Sequence, residues 1–468
     1  MQQGSANRSV WIFWMAFVAL AALSPLIVTT INVKIAFAAV AGVVFSYALA
    51  TIRDEVLPFV VLLALAMGSC FRLDIVQMSF YIRFFVLGVI ALKSVWTFVR
   101  GEADADPMGR RWSLFHGLFL YVAIYGMVGS LYSVDASLSF QRAASFLLLF
   151  LAIGHFFWTR IRTEAQVVEV MESIWKTVVV IMVASAILVV LFPGQMRYGG
   201  RWRLVFFSPN QLGHFASMLA PVVAWHYFER GSKRLSIACL LFVGAALLGS
   251  GSRSAILGAF LGLGVLFVLC YRKQATYLFG VLTLILAASL IFKLEAPDPN
   301  RPDSFIQEHV VRGYSLQTGS GRTGVWKSAW SLISKRPVFG YGFGITDKLF
   351  RMRMFDDLPL EFQGGHTHNS YIEELVNLGF LGGGAFFLMI GYLFLTGVRG
   401  IVGGFSESRD RRVLFVAIFS SILSGIDSSL FESWFTSVGS FFCFPFWMLG
   451  MLLIRLDRIP RQSREIGA

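Results

Sequence analysis

The sequence predicts an all-α polytopic membrane protein, and three observations predict it. Of the 468 residues, 56% are hydrophobic and only 14% are charged, against about 25% charged in soluble domains. Mean hydropathy is +0.68. Apolar runs long enough, as helices, to cross about 30 Å of hydrocarbon recur from end to end, separated by short polar joins. A single polytopic domain over residues 1–468 is expected.

In chain order the runs fall near 10–30, 35–50, 56–71, 79–99, 113–131, 143–158, 174–192, 211–228, 235–250, 254–271, 276–293, 371–397, 413–431 and 438–455. That is about fourteen spans, or twelve to thirteen if a short run is re-entrant, so 12–14 membrane helices are expected. The run 10–30 is too long for a signal peptide, has only Arg8 ahead of it and leads directly into further spans, so it reads as the first membrane helix. Cys70, Cys239, Cys270 and Cys443 lie in or at the ends of spans without CxxC spacing, and read as packing residues.

Charge gives the orientation. About half of the Lys and Arg lie in joins that fall on one side if the spans alternate, among them RGEADADPMGRR, ERGSKR and the tail RLDRIPRQSREIGA. The short joins opposite hold only Lys34, Arg72, Arg142 and Arg253. By the positive-inside rule both termini are cytoplasmic. The net charge of +13 sits at span ends, where membrane lipids account for it, and no nucleic-acid partner is expected.

Two longer joins fall on the outer face. Residues 193–210 carry Arg197, Arg201 and Arg203 with no acidic residue, which suits an anionic headgroup as well as a plain loop. Residues 294–370 form one large loop. Within it Val325, Trp326, Ala329, Trp330 and Ile333 recur at helical spacing, as in an amphipathic helix lying in the membrane interface. The Arg336-Pro337 pair should end that helix. Gly340, Gly342 and Gly344 then make a flexible or a tightly packed turn.

Ionisable groups at membrane depth are costly and invite a functional reading. Arg253, in LLGSGSRSAILGAF, sits at a hairpin tip where a fixed guanidinium can hold phosphate oxygens; an ordinary snorkelling arginine is the alternative. Arg322 opens the loop helix, where free backbone N–H groups add to its charge; the alternative is a solvated arginine. His368 can accept a proton from a sugar hydroxyl near neutral pH. His366 raises a metal pair, but neither Cys nor HExxH spacing completes one, so no metal is expected and His366 stays unassigned. Ser370 and Glu373 read as a capping box, with Glu374 facing water; an acid/base pair is the alternative.

His368-Asn369, nine residues, Gly379, two residues and Gly382 together form H-N-x9-G-x-x-G. This resembles the signature of the O-antigen ligase and O-antigen polymerase superfamily of bacterial inner-membrane glycosyltransferases. The SRS arginine Arg253, GRTGVW with Gly321 and Arg322, and FSPNQLG with Asn210 are similar in order and place, so the resemblance covers roughly residues 195–400. The expected span count is higher than is general for the family's ligases.

The resemblance implies a C-type glycosyltransferase architecture with its site on the periplasmic face beneath one large, partly helical loop. It implies an undecaprenyl-diphosphate-linked glycan donor, lipid A core or growing polysaccharide as acceptor, and inversion without metal or cofactor. Arg253 and Arg322 would hold the diphosphate and His368 would orient or deprotonate the hydroxyl. Arg201 and Arg203 would guide the headgroup, while Asn210, Gly321 and Asn369, inside the motifs, would bind substrate. Gly379 and Gly382 would let a neighbouring helix approach. A transporter or flippase of lipid-linked oligosaccharide is the competing reading. It predicts charges through the middle of many spans, whereas Arg83 and Lys93 are the only other clear ones away from the outer face.

Overall fold

A computed structural model describes residues 57–70, 73–99, 112–230, 233–273, 275–276, 322–352, 366–403 and 408–460. The expected spans 10–30 and 35–50, the span 276–293 beyond residue 276, Gly321, and stretches 294–321 and 353–365 of the large loop lie outside them. In order, the helices are α1 (Leu57–Gly68), α2 (Leu73–Val99), α3 (Leu114–Gly129), α4 (Ala136–Arg160, with a π-helical turn at Leu151–Phe157) and α5 (Glu164–Leu191). After a two-stranded hairpin, β1 (Arg197–Tyr198) and β2 (Arg201–Trp202), come α6 (Pro209–Glu229), α7 (Lys233–Ser250) and α8 (Arg253–Cys270). Then follow α9 (Arg322–Lys335), α10 (Thr346–Arg351), α11 (Ser370–Val402), α12 (Arg409–Ser429) and α13 (Cys443–Arg458).

The chain is an all-α polytopic membrane protein. Among the described residues seven helices are long and apolar enough to cross a membrane: α3 with its extension to Tyr132, α4, α5, α7, α8, α11 and α12. Several begin earlier than hydropathy alone places them, because a cap starts the helix before the apolar run. Asp135 accepts from the Leu138 N–H at the start of α4, and Thr163 with Gln166 forms a capping box at the start of α5. Two expected spans are shorter as helices. The run 56–71 is helical only over the 12 residues of α1. The run 438–455 becomes helical only at Cys443, because residues 434–442 turn on themselves, with Ser440 N donating to Ser437 O at 2.8 Å.

Burial separates central from peripheral helices. In the most apolar window of α12, 89% of residues are buried, against 33% in α5, so α12 is enclosed by protein while α5 turns Val183, Ile187 and Val190 outward. α6 is buried from Leu212 to His226 and packs on α7, α8 and α12. On the other side α3 packs on α4 and α11, and α13 packs on α11 and α12.

Small residues set the closest contact in the centre. Gly258 and Gly262, a G-x-x-x-G pair on α8, face α12, where Ser424 Oγ donates to Gly258 O at 2.8 Å. A Cβ on Gly262 would stand 2.7 Å from Ser420 O, so backbone approach here depends on the missing side chain. The four cysteines are free, three of them buried and Cys270 half-buried, consistent with packing roles.

The loop helix α9 forms where its periodicity predicts and stops before Arg336-Pro337. Val325, Ala329, Leu332 and Ile333 are buried in one cluster with Tyr341, Ile345 and Leu349 and with Leu375 and Val376 of α11. Burying each larger aliphatic side chain contributes about 1.5–3 kcal/mol, which fastens the loop to the helical body. Trp330 is exposed, whereas Trp326 reaches inward, its Nε1 donating to Thr367 O at 3.0 Å.

The glycine-rich turn after α9 is tightly packed. Gly340 has φ +71°, and an added Cβ would lie 2.5 Å from Asn377 O. The main chain 337–342 docks on α11, with Phe380 N donating to Pro337 O at 2.7 Å and Gly342 N to Asn377 O at 2.9 Å. This corrects the expectation for Gly379. It is a break in α11, with φ 61° and ψ −165°, at which freed backbone groups receive the turn, rather than a helix-packing glycine. Gly382 behaves as expected: a Cβ there would meet Tyr125 Cε1 of α3 at 2.7 Å.

Candidate active site

Three sequence motifs far apart in the chain meet at one carboxylate. α12 ends at Ser429, and the turn that follows presents Glu432. Its Oε1 accepts from Asn210 Nδ2 at 2.9 Å, its Oε2 lies 3.2 Å from His368 Nδ1, and Arg322 Nη2 is 3.8 Å from Oε1. Asn210 belongs to the first turn of α6, Arg322 opens α9 and His368 immediately precedes α11. Asn210 Oδ1 in turn accepts from Arg201 Nη2 at 2.8 Å.

Local structure fixes each member. Asn369 caps α11, its Oδ1 accepting from the N–H groups of Tyr371 and Ile372 at 3.0 Å. This corrects the expected capping box: the cap is Asn369, one residue before Ser370, and is worth about 1 kcal/mol. Ser370 Oγ instead donates to Glu432 O at 2.8 Å and accepts from Trp434 N at 3.0 Å, sewing the Glu432 turn to the start of α11. Glu373 Oε2 accepts from Thr367 Oγ1 at 3.1 Å. Between these two anchors His368 adopts φ 51°, a left-handed conformation uncommon for a non-glycine residue.

Glu374, expected to face water, is 2% exposed and accepts from Thr436 Oγ1 at 2.6 Å. The turn after α12 folds over it, a tertiary contact that hydropathy does not encode.

Glu432 stays ionised. Burial pushes its carboxyl up, but the His368 hydrogen bond and the neighbouring positive charges, Arg322 among them, outweigh that and bring it down to about 2. An ionised carboxylate only accepts, so His368 Nδ1 carries the hydrogen of the pair. In the neutral imidazole that leaves Nε2 as the acceptor, the arrangement a general base requires.

Arg253 begins α8 next to the Ser250–Ser254 tip, which joins the same assembly. Arg201 Nε donates to Ser250 O, and Ser254 Oγ is 3.5 Å from Nε2 of the buried His214, whose Nδ1 is 2.9 Å from Ser428 Oγ. The N-terminal turns of α6, α8, α9 and α11 thus carry Asn210, Arg253, Arg322 and Asn369, and helix N-termini favour anions. Arg203 engages its own loop, its Nε donating to Gln195 O at 2.8 Å and its guanidinium lying over the Tyr198 ring. Gly321 lies outside the described residues.

Glu432 and His214 were not found from the sequence. The available signal for Glu432 was a lone acidic residue in SLFESW, where the run 413–431 ends on the same side as His368. At the opposite ends of α6 and α12, Glu229 pairs with Arg409 at 2.8 Å, and Arg230 pairs with Glu172 of α5 at 2.6 Å.

Fold and site together define a multi-pass helical membrane protein with a half-buried carboxylate, histidine and arginine centre at one end of its bundle. A family model described as O-antigen ligase matches residues 237–387, which hold Arg253, Arg322, His368, Asn369, Gly379 and Gly382. The match supports the resemblance to the O-antigen ligase superfamily, and with it a glycosyl-transferring membrane protein of O-antigen ligation or polymerisation. No curated protein matches the chain.

Proposed function

We propose that the protein transfers a glycan from undecaprenyl diphosphate to an acceptor hydroxyl on the periplasmic face of the bacterial inner membrane, with inversion and without a metal. The observation that carries this reading is the convergence of Asn210, Arg322 and His368 on Glu432. The acceptor is lipid A core in ligation, or a growing O-antigen or exopolysaccharide chain in polymerisation. With the site outward, the ion-paired ends holding Arg230 and Arg409 are cytoplasmic, as are both termini, in line with the positive-inside rule.

In a single displacement the acceptor oxygen attacks the anomeric carbon while the bond from that carbon to the diphosphate oxygen breaks. The hydroxyl proton passes to His368 Nε2, and the electron pair of the broken bond leaves on undecaprenyl diphosphate. Charge grows on that leaving oxygen, and Arg253 and Arg322, fixed at helix N-termini, stabilise it without reorganising. Glu432 holds the imidazole in the tautomer with Nε2 free. Arg201, tied to Asn210, supports the headgroup side of the site.

The test mixes purified protein with an undecaprenyl diphosphate glycan and either lipid A core or a second lipid-linked glycan. Transfer to one of them is expected, unchanged by chelator, and His368→Ala should reduce it by about 10²–10⁴-fold while the protein stays folded. Transfer to neither acceptor refutes the reading. Full activity of His368→Ala removes histidine from the mechanism.

A further inference from the structure

A second polar centre lies on the other side of the segment that carries His368. The left-handed backbone at His368 accompanies a parting of the two histidines: His368 turns to Glu432, whereas His366 turns to Glu373, Nδ1 to Oε1 at 3.4 Å. Glu432 and Ser433 divide in the same way, Ser433 facing the His366 side. There, among the described residues, a chamber of about 750 Å³ opens, within the range of about 300–1,000 Å³ typical of small-molecule sites.

The carboxylates in its wall are partnered. Arg142 of α4 grips Asp347 of α10 with both nitrogens, at 2.5 and 3.0 Å, and also donates to Gly344 O. Burial alone would lower the His366 pKa, but the hydrogen bond and charge of Glu373, with Asp347 beyond, raise it above its ordinary 6.5. Arg142 and, when protonated, His366 thus face the carboxylates of Asp347 and Glu373. A diphosphate entering here would meet both carboxylates with no surplus positive charge, and an acyl chain would strip water from the Arg142–Asp347 ion pair and from Glu373.

A sugar fits this wall better than either. Carboxylates accept from hydroxyls, while guanidinium and imidazole donate to them. Ser433, Thr436 and Ser437 add hydroxyls, and Phe84 and Phe140 add apolar side chains.

The chamber is also coupled to the reacting centre. Thr367 N and Oγ1 donate to Glu373 Oε2 at 3.3 and 3.1 Å. Ser433 Oγ lies 3.2 Å from Thr367 Oγ1 and accepts from Asn369 N at 3.1 Å. His366, Glu373 and Ser433 therefore line the chamber and brace the residues on both sides of His368.

We propose that this chamber is a glycan subsite, holding a neutral, hydroxyl-rich segment of the donor or acceptor chain beyond the reacting sugar and using that remote contact to seat the substrate at His368. The proposal rests on the transferase reading above and assigns His366 a binding role. Two sources of glycan share this chemistry, the donor repeat and the acceptor chain, and kinetics separate them.

Ser437 lines the chamber and is exposed, so Ser437→Trp obstructs the chamber with little risk to folding. It should raise KM for one glycan about tenfold or more while kcat changes less than about threefold. A rise when only the donor is varied assigns the chamber to the donor, and a rise when only the acceptor is varied assigns it to the acceptor.

A binding measurement stands apart from turnover. Ser437→Cys in a Cys270→Ser background, where the remaining native thiols are buried, is reacted with a maleimide. Neutral oligosaccharide released from the host's surface polysaccharide should slow labelling, and inorganic pyrophosphate at equal concentration should not.

If wild-type protein transfers glycan but neither KM moves and the oligosaccharide gives no protection, the subsite is overturned and the transferase reading stands. Stronger protection by pyrophosphate also overturns it. Absence of any wild-type transfer overturns the transferase reading, and labelling alone then decides whether the chamber binds glycan.

Discussion

Removing the charge of Glu432 tests the centre most directly. Glu432→Gln keeps the shape of the side chain and an acceptor oxygen for His368 but removes the carboxylate that Asn210, His368 and Arg322 share. The side chain is only 21% exposed, so solvent screening is modest. Lowering its pKa from 4.5 to about 2 corresponds to about 3 kcal/mol in favour of the folded, ionised site. The sign follows from linkage. A depressed carboxyl pKa stabilises the fold above the unfolded value near 4.5, and that contribution is lost as pH falls towards 2. Thermal unfolding in detergent should therefore show wild type above Glu432→Gln at pH 7, with the gap closing as pH drops below about 4.5. Transfer should fall about 100-fold in kcat, because His368 loses the partner that fixes its tautomer, with KM changing less than about threefold. Glu432→Asp, which keeps the charge, should recover part of the rate. A kcat for Glu432→Gln within about threefold of wild type would refute the positioning role, and so would a stability gap that persists unchanged at pH 3.

Two further predictions concern the segments that hold the centre in place. Gly379→Ala should lower the unfolding temperature and the yield of folded protein. It forces a Cβ onto the Val338 carbonyl at φ 61°, and the backbone strain alone costs about 1–3 kcal/mol; unchanged stability would mean that the break in α11 tolerates a side chain. His366→Gln should lower stability in a pH-dependent manner. Glu373 raises the His366 pKa, so the ion pair stabilises the fold fully below 6.5 and loses that effect as pH rises through the raised value. The difference from wild type is expected to be largest near pH 6 and to vanish in alkaline buffer; a gap that grows with pH would contradict the pairing.

Much of this arrangement was legible in the sequence because it is local. Apolar runs set where α3, α5, α7, α8, α11 and α12 lie, and helical spacing in 325–333 placed α9. Arg322 stood out at the start of the loop helix and His368 at a span boundary, and the structure brings them to one carboxylate. The cap of α11 was misplaced by one residue. Asn369 and Ser370 are both good caps, and the choice between them was made by Glu432 and Trp434, which use the Ser370 hydroxyl. Gly379 looked like a packing glycine because glycine spacing does not distinguish a close helix neighbour from a left-handed backbone.

By itself, the sequence determined that this chain is a helical membrane protein, roughly where most of its helices run, and which arginines and histidines stand at one end of them. Those properties follow from hydropathy, caps and charge within a few residues of each position. Only the tertiary structure decided that Asn210, Arg322 and His368 share Glu432, and that Arg142 meets Asp347 across about two hundred positions of chain. Such contacts depend on how helices pack and where turns fold over them. The free energy that sets each carboxylate's partner comes from burial and hydrogen bonding between segments with no sequence relation to one another.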